Sequence, residues 1–261
     1  MCGRFGLMVT WQELAAMYGL IGGPPEAMRV MPPRFNIAPT QPVLAIRAGS
    51  GGAPEATFFR WGLVPSWAKD IDIGARTINA RAETVAEKPA FRAAFRRRRC
   101  LIPASGFFEW QAVEGKGPKQ PYWIAMADGA PFSFAGLWET WESPDGEALH
   151  TCSIVTTDAN ASLRPVHHRM PVIVAPADHA TWLAHAPGGR EHDTAAATAL
   201  MRPYPDGFLV ATPVGRLVNN VRNDGPDLIR PAEPGADLPP KPEKPRAAAD
   251  KTADSRQGSL F

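Results

Sequence analysis

The chain has 261 residues, 44% hydrophobic and 21% charged, with a formal net charge of +2. That balance suits one large domain or two small ones with a real core, and it excludes a nucleic-acid role argued from total charge, which would need a local basic cluster instead. The three cysteines, Cys2, Cys100 and Cys152, are an odd number at wide spacing; they form neither a disulfide framework nor a CxxC metal signature and fit a reducing, cytoplasmic setting. No N-terminal apolar run resembles a signal peptide and no apolar stretch is long enough to cross a bilayer, so a soluble protein without metal or cofactor is expected.

The first stretch is MCGRF. On position alone, Cys2 is a small residue at a frayed terminus. Its chemistry is less ordinary. If Met1 is removed, Cys2 carries an α-amine and a thiol on adjacent carbons. Such a 1,2-aminothiol condenses with an aldehyde to an imine and then to a thiazolidine ring, which no internal cysteine can do. Next, Thr10 and Glu13 in TWQE form a capping box, Trp11, Leu14, Ala15 and Tyr18 follow at helical spacing, and Gly19 ends the helix. Strands are predicted at 42–47 (PVLAIR), 56–64 (ATFFRWGLV), 100–104 (CLIPA), 107–111 (FFEWQ), 122–127 (YWIAMA), 132–141 (FSFAGLWETW), 149–157 (LHTCSIVTT) and 207–214 (GFLVATPV). Helices are predicted at 89–98, where Pro89 sits in the first turn, and at 177–186 and 193–201. Many short strands with scattered helices predict an α+β domain around an antiparallel, barrel-like sheet. From about Pro231 the chain is rich in Pro, Ala and charge, which predicts a disordered tail at 231–261 behind a folded domain at 1–230.

Several polar stretches do not read as ordinary packing. RFNIAPTQ (34–41) is polar and contains proline. INARAE (78–83) puts Asn79 and Arg81 two apart, hence on one side of an extended segment. GFFEW (106–110) sets Glu109 among three aromatics, although the wet face of a strand would also hold a glutamate. VHHRMP (166–171) places two histidines and an arginine in a predicted loop, without metal spacing. The run RRRR (96–99) reads as a solvated helix face.

With MCGRF, these stretches resemble the SOS-response-associated peptidase (SRAP) family, the abasic-site processing proteins. The resemblance runs from Met1 to about Ile229 and is carried by nine blocks in the family's order: MCGRF, RFNIAPTQ, RWGLVPSW, INARAET, RCLIPASGFFEW, KQPYWI, IVTTDAN, HHRMP and VNNVRNDGPDLI. One departure is His168, where relatives commonly carry an acidic residue. The resemblance implies that Cys2 is the nucleophile and, once Met1 is lost, the aminothiol. Asn79 holds the terminal amine or the sugar, and Glu109 and His167 form the acid–base pair. It further implies that Arg4, Arg81 and Arg169 hold phosphates, that Trp61 and Trp67 lie in or near a DNA groove, and that Thr156 lies close to the site. Arg34 and Asn36 of RFNIAPTQ count among the DNA contacts, and Arg60, Arg76 and the 96–99 run would add charge if they share that face.

The implied activity is capture of abasic sites in single-stranded DNA as a covalent crosslink during the DNA damage response. Removal of Met1, by self-cleavage or by a methionine aminopeptidase, and lyase-type chemistry on the sugar accompany it. The expected protein is a cytoplasmic monomer, nucleoid-associated when bound to DNA and with no membrane partner. Two other classes stay open: an N-terminal-nucleophile cysteine peptidase that processes itself with DNA incidental, and a non-catalytic nucleic-acid reader. At the other end, Gln257, Leu260 and Phe261 in QGSLF resemble the short peptide by which bacterial repair proteins dock on the replication sliding clamp.

Overall fold

The residues that open the chain pair as a strand rather than fraying. The computed structural model describes residues 2–26, 32–49, 51–113, 117–184 and 194–234. Met1, the expected disordered tail from 235 onward and its terminal Gln257, Leu260 and Phe261 lie outside the described residues. The strands are β1 (Arg4–Leu7), β2 (Arg34–Ile37), β3 (Pro42–Ala48), β4 (Pro54–Trp61), β5 (Asn79–Arg81), β6 (Arg99–Ala104), β7 (Gly106–Gln111), β8 (Gln120–Met126), β9 (Phe132–Glu142), β10 (Ala148–Asp158), β11 (Arg169–Pro171), β12 (Ile173–Val174) and β13 (Leu209–Pro213). The helices are α1 (Trp11–Tyr18), α2 (Arg92–Arg97), α3 (His179–Leu183) and α4 (Ala195–Leu200). Among the described residues no helix is long and apolar enough to cross a membrane, and no group of three His, Cys, Asp or Glu could hold a metal.

Two sheets make an α+β fold. One closes on itself in the order β10-β4-β3-β6-β9, with β9 returning to β10; β5 and β11 extend β10, and β12 extends β9. The ring is antiparallel except where β10 runs parallel to β4, and β5 also lies parallel to β10. The second sheet is open and antiparallel, in the order β13-β8-β7-β1-β2. Its strands alternate between two cores. Phe5 and Phe107, paired across β1 and β7, face the barrel, whereas Phe108 faces a smaller cluster with Trp123, Val214, Val218 and Leu228. Gly106 admits this packing because a Cβ there would meet the Trp123 ring at 2.2 Å.

α1 begins and ends where its caps predict. Thr10 accepts from the Glu13 amide, the Glu13 carboxylate takes the Thr10 amide, and Gly19 closes the helix at φ 64°. Elsewhere the boundaries shift for tertiary reasons. The strand predicted to 64 stops at Trp61, because Gly62 turns the chain at φ 119° so tightly that a Cβ would lie 2.5 Å from the Gly74 carbonyl. α2 starts at Arg92 rather than at 89, and α3 and α4 are shorter than their predicted spans, with 185–193 outside the described residues. β1, β2, β5, β11 and β12 are only two to four residues long and carry no periodicity of their own; neighbouring strands define them. Packing also continues past the predicted boundary at 230, since Pro231 bridges to Val214 and the Ala232 amide donates to Pro213 at 2.9 Å.

Candidate active site at the seam between the sheets

Cys2 precedes β1 and Glu109 lies on β7 of the open sheet, while Asn79 lies on β5, Thr156 on β10 and His167 in the loop before β11. On β7, Glu109 shares the face of Phe107, so alternation sends its carboxyl inward and leaves it only 3% exposed. The wet-face alternative for this residue is therefore set aside. Asn79 opens β5 opposite Ile154 of β10. Its Nδ2 donates to the Cys2 carbonyl at 2.9 Å, across the seam. Its Oδ1 is buried and has no hydrogen-bond partner among the described residues. Thr156, fully buried, donates to the Ala80 carbonyl at 3.4 Å. His167 lies in the loop before β11. Its Nδ1 sits 3.0 Å from the Arg169 amide nitrogen and 3.1 Å from the Arg169 carbonyl oxygen. The amide can only donate and the carbonyl only accept, so the neutral ring and the imidazolium each find a backbone partner at the same nitrogen. His168 stacks on it, centroids 4.4 Å apart.

Burial pushes the Cys2 thiol well above its ordinary range, and the negative charge of Glu109 adds to the rise. Burial likewise pushes Glu109 up, offset in part by the positive amino terminus and Lys119. It pushes His167 down, assisted by the same amino terminus, His168 and Lys119. The carboxyl and the imidazole are thus driven toward one another, which lowers the cost of moving a proton either way between them and a bound reactant.

The cations divide differently from expectation. Arg4 pairs with Phe108 across the strands and so points to the face of the open sheet opposite Glu109. There it donates to Asn36 Oδ1 at 2.8 Å and to the Val218 carbonyl at 2.7 Å, and lies over the Trp110 ring. Asn36, 1% exposed, donates to the carbonyls of Val218, Asn220 and Asn223. Arg34 is engaged by the Pro42 carbonyl and Gln41. Arg169 makes a two-point ion pair with Glu83 at 2.7 and 2.9 Å and also reaches Asp158 and the Thr156 carbonyl. In this structure these four residues fasten loops to strands. Trp61 is likewise a packing residue: wholly buried, it donates to the Ile78 carbonyl and meets Phe5 edge-on. Of the arginine run, Arg98 pairs with Glu139, Arg99 is buried on the carbonyls of Trp182, Phe95 and Ala184, and Arg96 and Arg97 are exposed. Arg81 and Trp67, the latter 59% exposed, do face solvent.

Lys119, whose charge reaches both Glu109 and His167, was not singled out by sequence reasoning; it stands at the head of KQPYWI, a block noted only for its resemblance. Gln111 was also missed, although it lies two residues beyond Glu109 in a predicted strand and therefore on the same face.

A family model described as SOS response associated peptidase (SRAP) matches residues 1–221. The chain is 38% identical over 229 residues to the abasic site processing protein YoqW of Bacillus subtilis (strain 168), covering 88% of this chain and 99% of that one. It is 33% identical over 203 residues to the abasic site processing protein HMCES of Rattus norvegicus, covering 67% of this chain and 56% of that longer one. Among solved structures, a crystallised protein of Bacteroides thetaiotaomicron aligns with a TM-score of 0.77 at 28% identity, over 89% of this chain and 100% of the other.

Proposed function

The chain belongs to the SOS response associated peptidase (SRAP) family, and from that premise we propose that it processes abasic sites in DNA by a covalent link through Cys2 after loss of Met1. The observation that carries this reading is the hold on Cys2. Asn79 fixes its carbonyl while offering a buried, unpaired acceptor, and Glu109 lies close enough to raise its thiol.

In the proposed reaction the ring-opened sugar of an abasic site presents its C1′ aldehyde. The Cys2 amine, with a reference pKa of about 7.7–8.0, is partly neutral at neutral pH and adds to C1′. Asn79 Oδ1 accepts one of its N–H bonds. The carbinolamine hydroxyl takes a proton from the Glu109 carboxyl, whose hold on that proton burial strengthens, and leaves as water. The thiol then adds to the imine carbon and gives its proton to the carboxylate just formed. Aldehyde plus aminothiol thus yields thiazolidine plus water, and Glu109 ends as it began. His167, held by backbone in either protonation state, serves the opening of the deoxyribose ring. Lowered by burial, it is mostly neutral near pH 7, so its acid role strengthens as pH falls. A closed thiazolidine resists the β-elimination open to a bare imine, which shields the strand. Exposed Arg81 and Trp67 would guide and stack a single strand, where an unpaired nucleotide is reached without flipping.

Self-processing at Met1 would draw on the same residues. The Asn79 bond, however, falls on the carbonyl of Cys2 itself, one residue past the carbonyl that self-cleavage must polarise. That favours a role in orienting Cys2. The tail peptide with Gln257, Leu260 and Phe261 is proposed as a tether to a replication sliding clamp. Changing Leu260→Ala with Phe261→Ala should abolish clamp binding in calorimetry and leave crosslinking to free oligonucleotides unchanged; equal binding by the double variant rules the tether out.

The function is tested on denaturing gels with matched abasic and intact single strands. A retarded band with the abasic strand alone is expected, from a chain whose intact mass lacks Met1. Cys2→Ser should give at most a labile imine, trapped by borohydride. A heat-stable crosslink from Cys2→Ser would overturn the mechanism.

A further inference from the structure

Glu109 and His167 sit on separate pieces of the fold, and no strand pairing joins β7 to the loop that carries His167. Among the described residues, side-chain hydrogen bonds cross between these pieces beside the site at two named points. One is Asn79 to the Cys2 carbonyl. The other is Gln111 Nε2 to the Pro165 carbonyl at 2.9 Å. Gln111 stands two residues beyond Glu109 on the same face of β7, and Pro165 stands two residues before His167. The Gln111 amide is itself oriented, since the Tyr122 hydroxyl donates to its Oε1 at 3.0 Å. Tyr122 in turn is the residue paired with Glu109 across β7 and β8.

We infer that Gln111, aligned by Tyr122, is a positioning residue that sets the separation of Glu109 and His167 by tying β7 to the His167 loop. A proton donor and acceptor must hold their reactant within a few tenths of an ångström, and a misplacement of about 1 Å can cost up to about a hundredfold in rate. Among the described residues, the loop from Asn160 to His167 is joined to β7 by the side-chain hydrogen bond from Gln111 to Pro165. Its other anchors run elsewhere, to Asp206 through Ser162 and to Tyr204 through Asn160. Gln111→Met keeps the length and shape of the side chain and removes both polar ends. Gln111→Glu keeps the acceptor for Tyr122 and removes the donor to Pro165. Tyr122→Phe keeps that donor and frees the amide to turn.

The kinetic part of the test rests on the crosslinking function proposed above; a second readout does not. In single-turnover crosslinking of the full chain, Gln111→Met and Gln111→Glu should each lower the rate at saturating abasic strand about tenfold, with the half-saturating DNA concentration and melting temperature unchanged. Tyr122→Phe should lose less. In DNA-free protein, the charges that act on His167 are those of His168, Lys119 and the amino terminus; its titration, followed by NMR, should move up toward the ordinary histidine range in Gln111→Met as the loop admits water. A Gln111→Met chain that crosslinks at the wild-type rate across the pH range, or leaves the His167 titration unmoved, overturns the inference. If the wild type forms no crosslink, the crosslinking function fails and the titration alone decides the role of Gln111. If Gln111→Met lowers the melting temperature, Tyr122→Phe decides by the same two readouts.

Discussion

Among the described residues, burial lowers the pKa of two histidines, His179 and His167, and they stand in contrasting surroundings. His179 on α3 is bonded at Nε2 to Ser133, 2.9 Å away, and Ser133 meets the Tyr18 hydroxyl at 2.7 Å; the backbone of Val174 engages the ring and Tyr18 stacks on it. His167 leans on the Arg169 backbone and stacks on an exposed histidine. Burial pushes both rings down. What separates them is their company. The chain from His179 ends in neutral hydroxyls that are themselves buried, with Tyr18 pushed up by burial so that its proton stays put. Across the seam from His167 stand a carboxyl shifted the opposite way and, among the described residues, an asparagine oxygen without a hydrogen-bond partner. A lowered histidine pKa by itself is therefore no mark of a site.

The contrast is sharpened most by Glu109→Gln. The amide keeps the shape and loses the proton, so single-turnover crosslinking should slow about 10²–10⁴-fold while non-covalent DNA binding holds. Because Glu109 is raised, wild-type crosslinking should decline as pH rises through that raised value. The variant should show no such decline, which a gel series from about pH 5 to 9 would reveal.

His179→Ala should do the reverse. Losing its bond to Ser133 costs about 1–3 kcal/mol of stability, read by thermal or urea unfolding, with crosslinking unchanged below the melting point. The wild type, whose folded-state His179 pKa lies below the unfolded value of about 6.5, should keep this residue's contribution above that pH and lose it as pH falls below it. The variant should lose less over that window. Slower crosslinking by a folded His179→Ala chain would break the comparison. The smallest effect is expected from His168→Asp. A carboxylate there replaces a group that lowers His167 with one that raises it; the His167 titration seen by NMR should rise, and the acid limb of the pH profile should move with it.

Much of the scaffold was legible locally. The α1 caps, the long strands β3, β9 and β10 and the inward run at β6 announce themselves through side chains that choose their conformation with little help from distant residues. The short strands were hidden because two to four residues hold no periodicity; β1 is a strand because β7 and β2 lie on either side of it. Residues of the right chemical type for the site, Cys2, Asn79, Glu109 and His167, could be named from motifs, yet nothing in those motifs says that Gln111 ties two of their carriers together.

The amino-acid sequence by itself determined what kinds of chemistry are available: a second-position cysteine able to become an aminothiol, a carboxyl among aromatics, a histidine pair, and a supply of arginines. Only the tertiary structure decided which arginines are free. Arg4, Arg34 and Arg169 carry the same charge as Arg81, but their donors end on carbonyls, an amide and carboxylates supplied by residues from seven to more than two hundred positions away. Charge belongs to the side chain and is printed in the sequence. Whether that charge is neutralised depends on acceptors within about 3 Å, and which acceptors arrive there is settled by the packing of the whole chain.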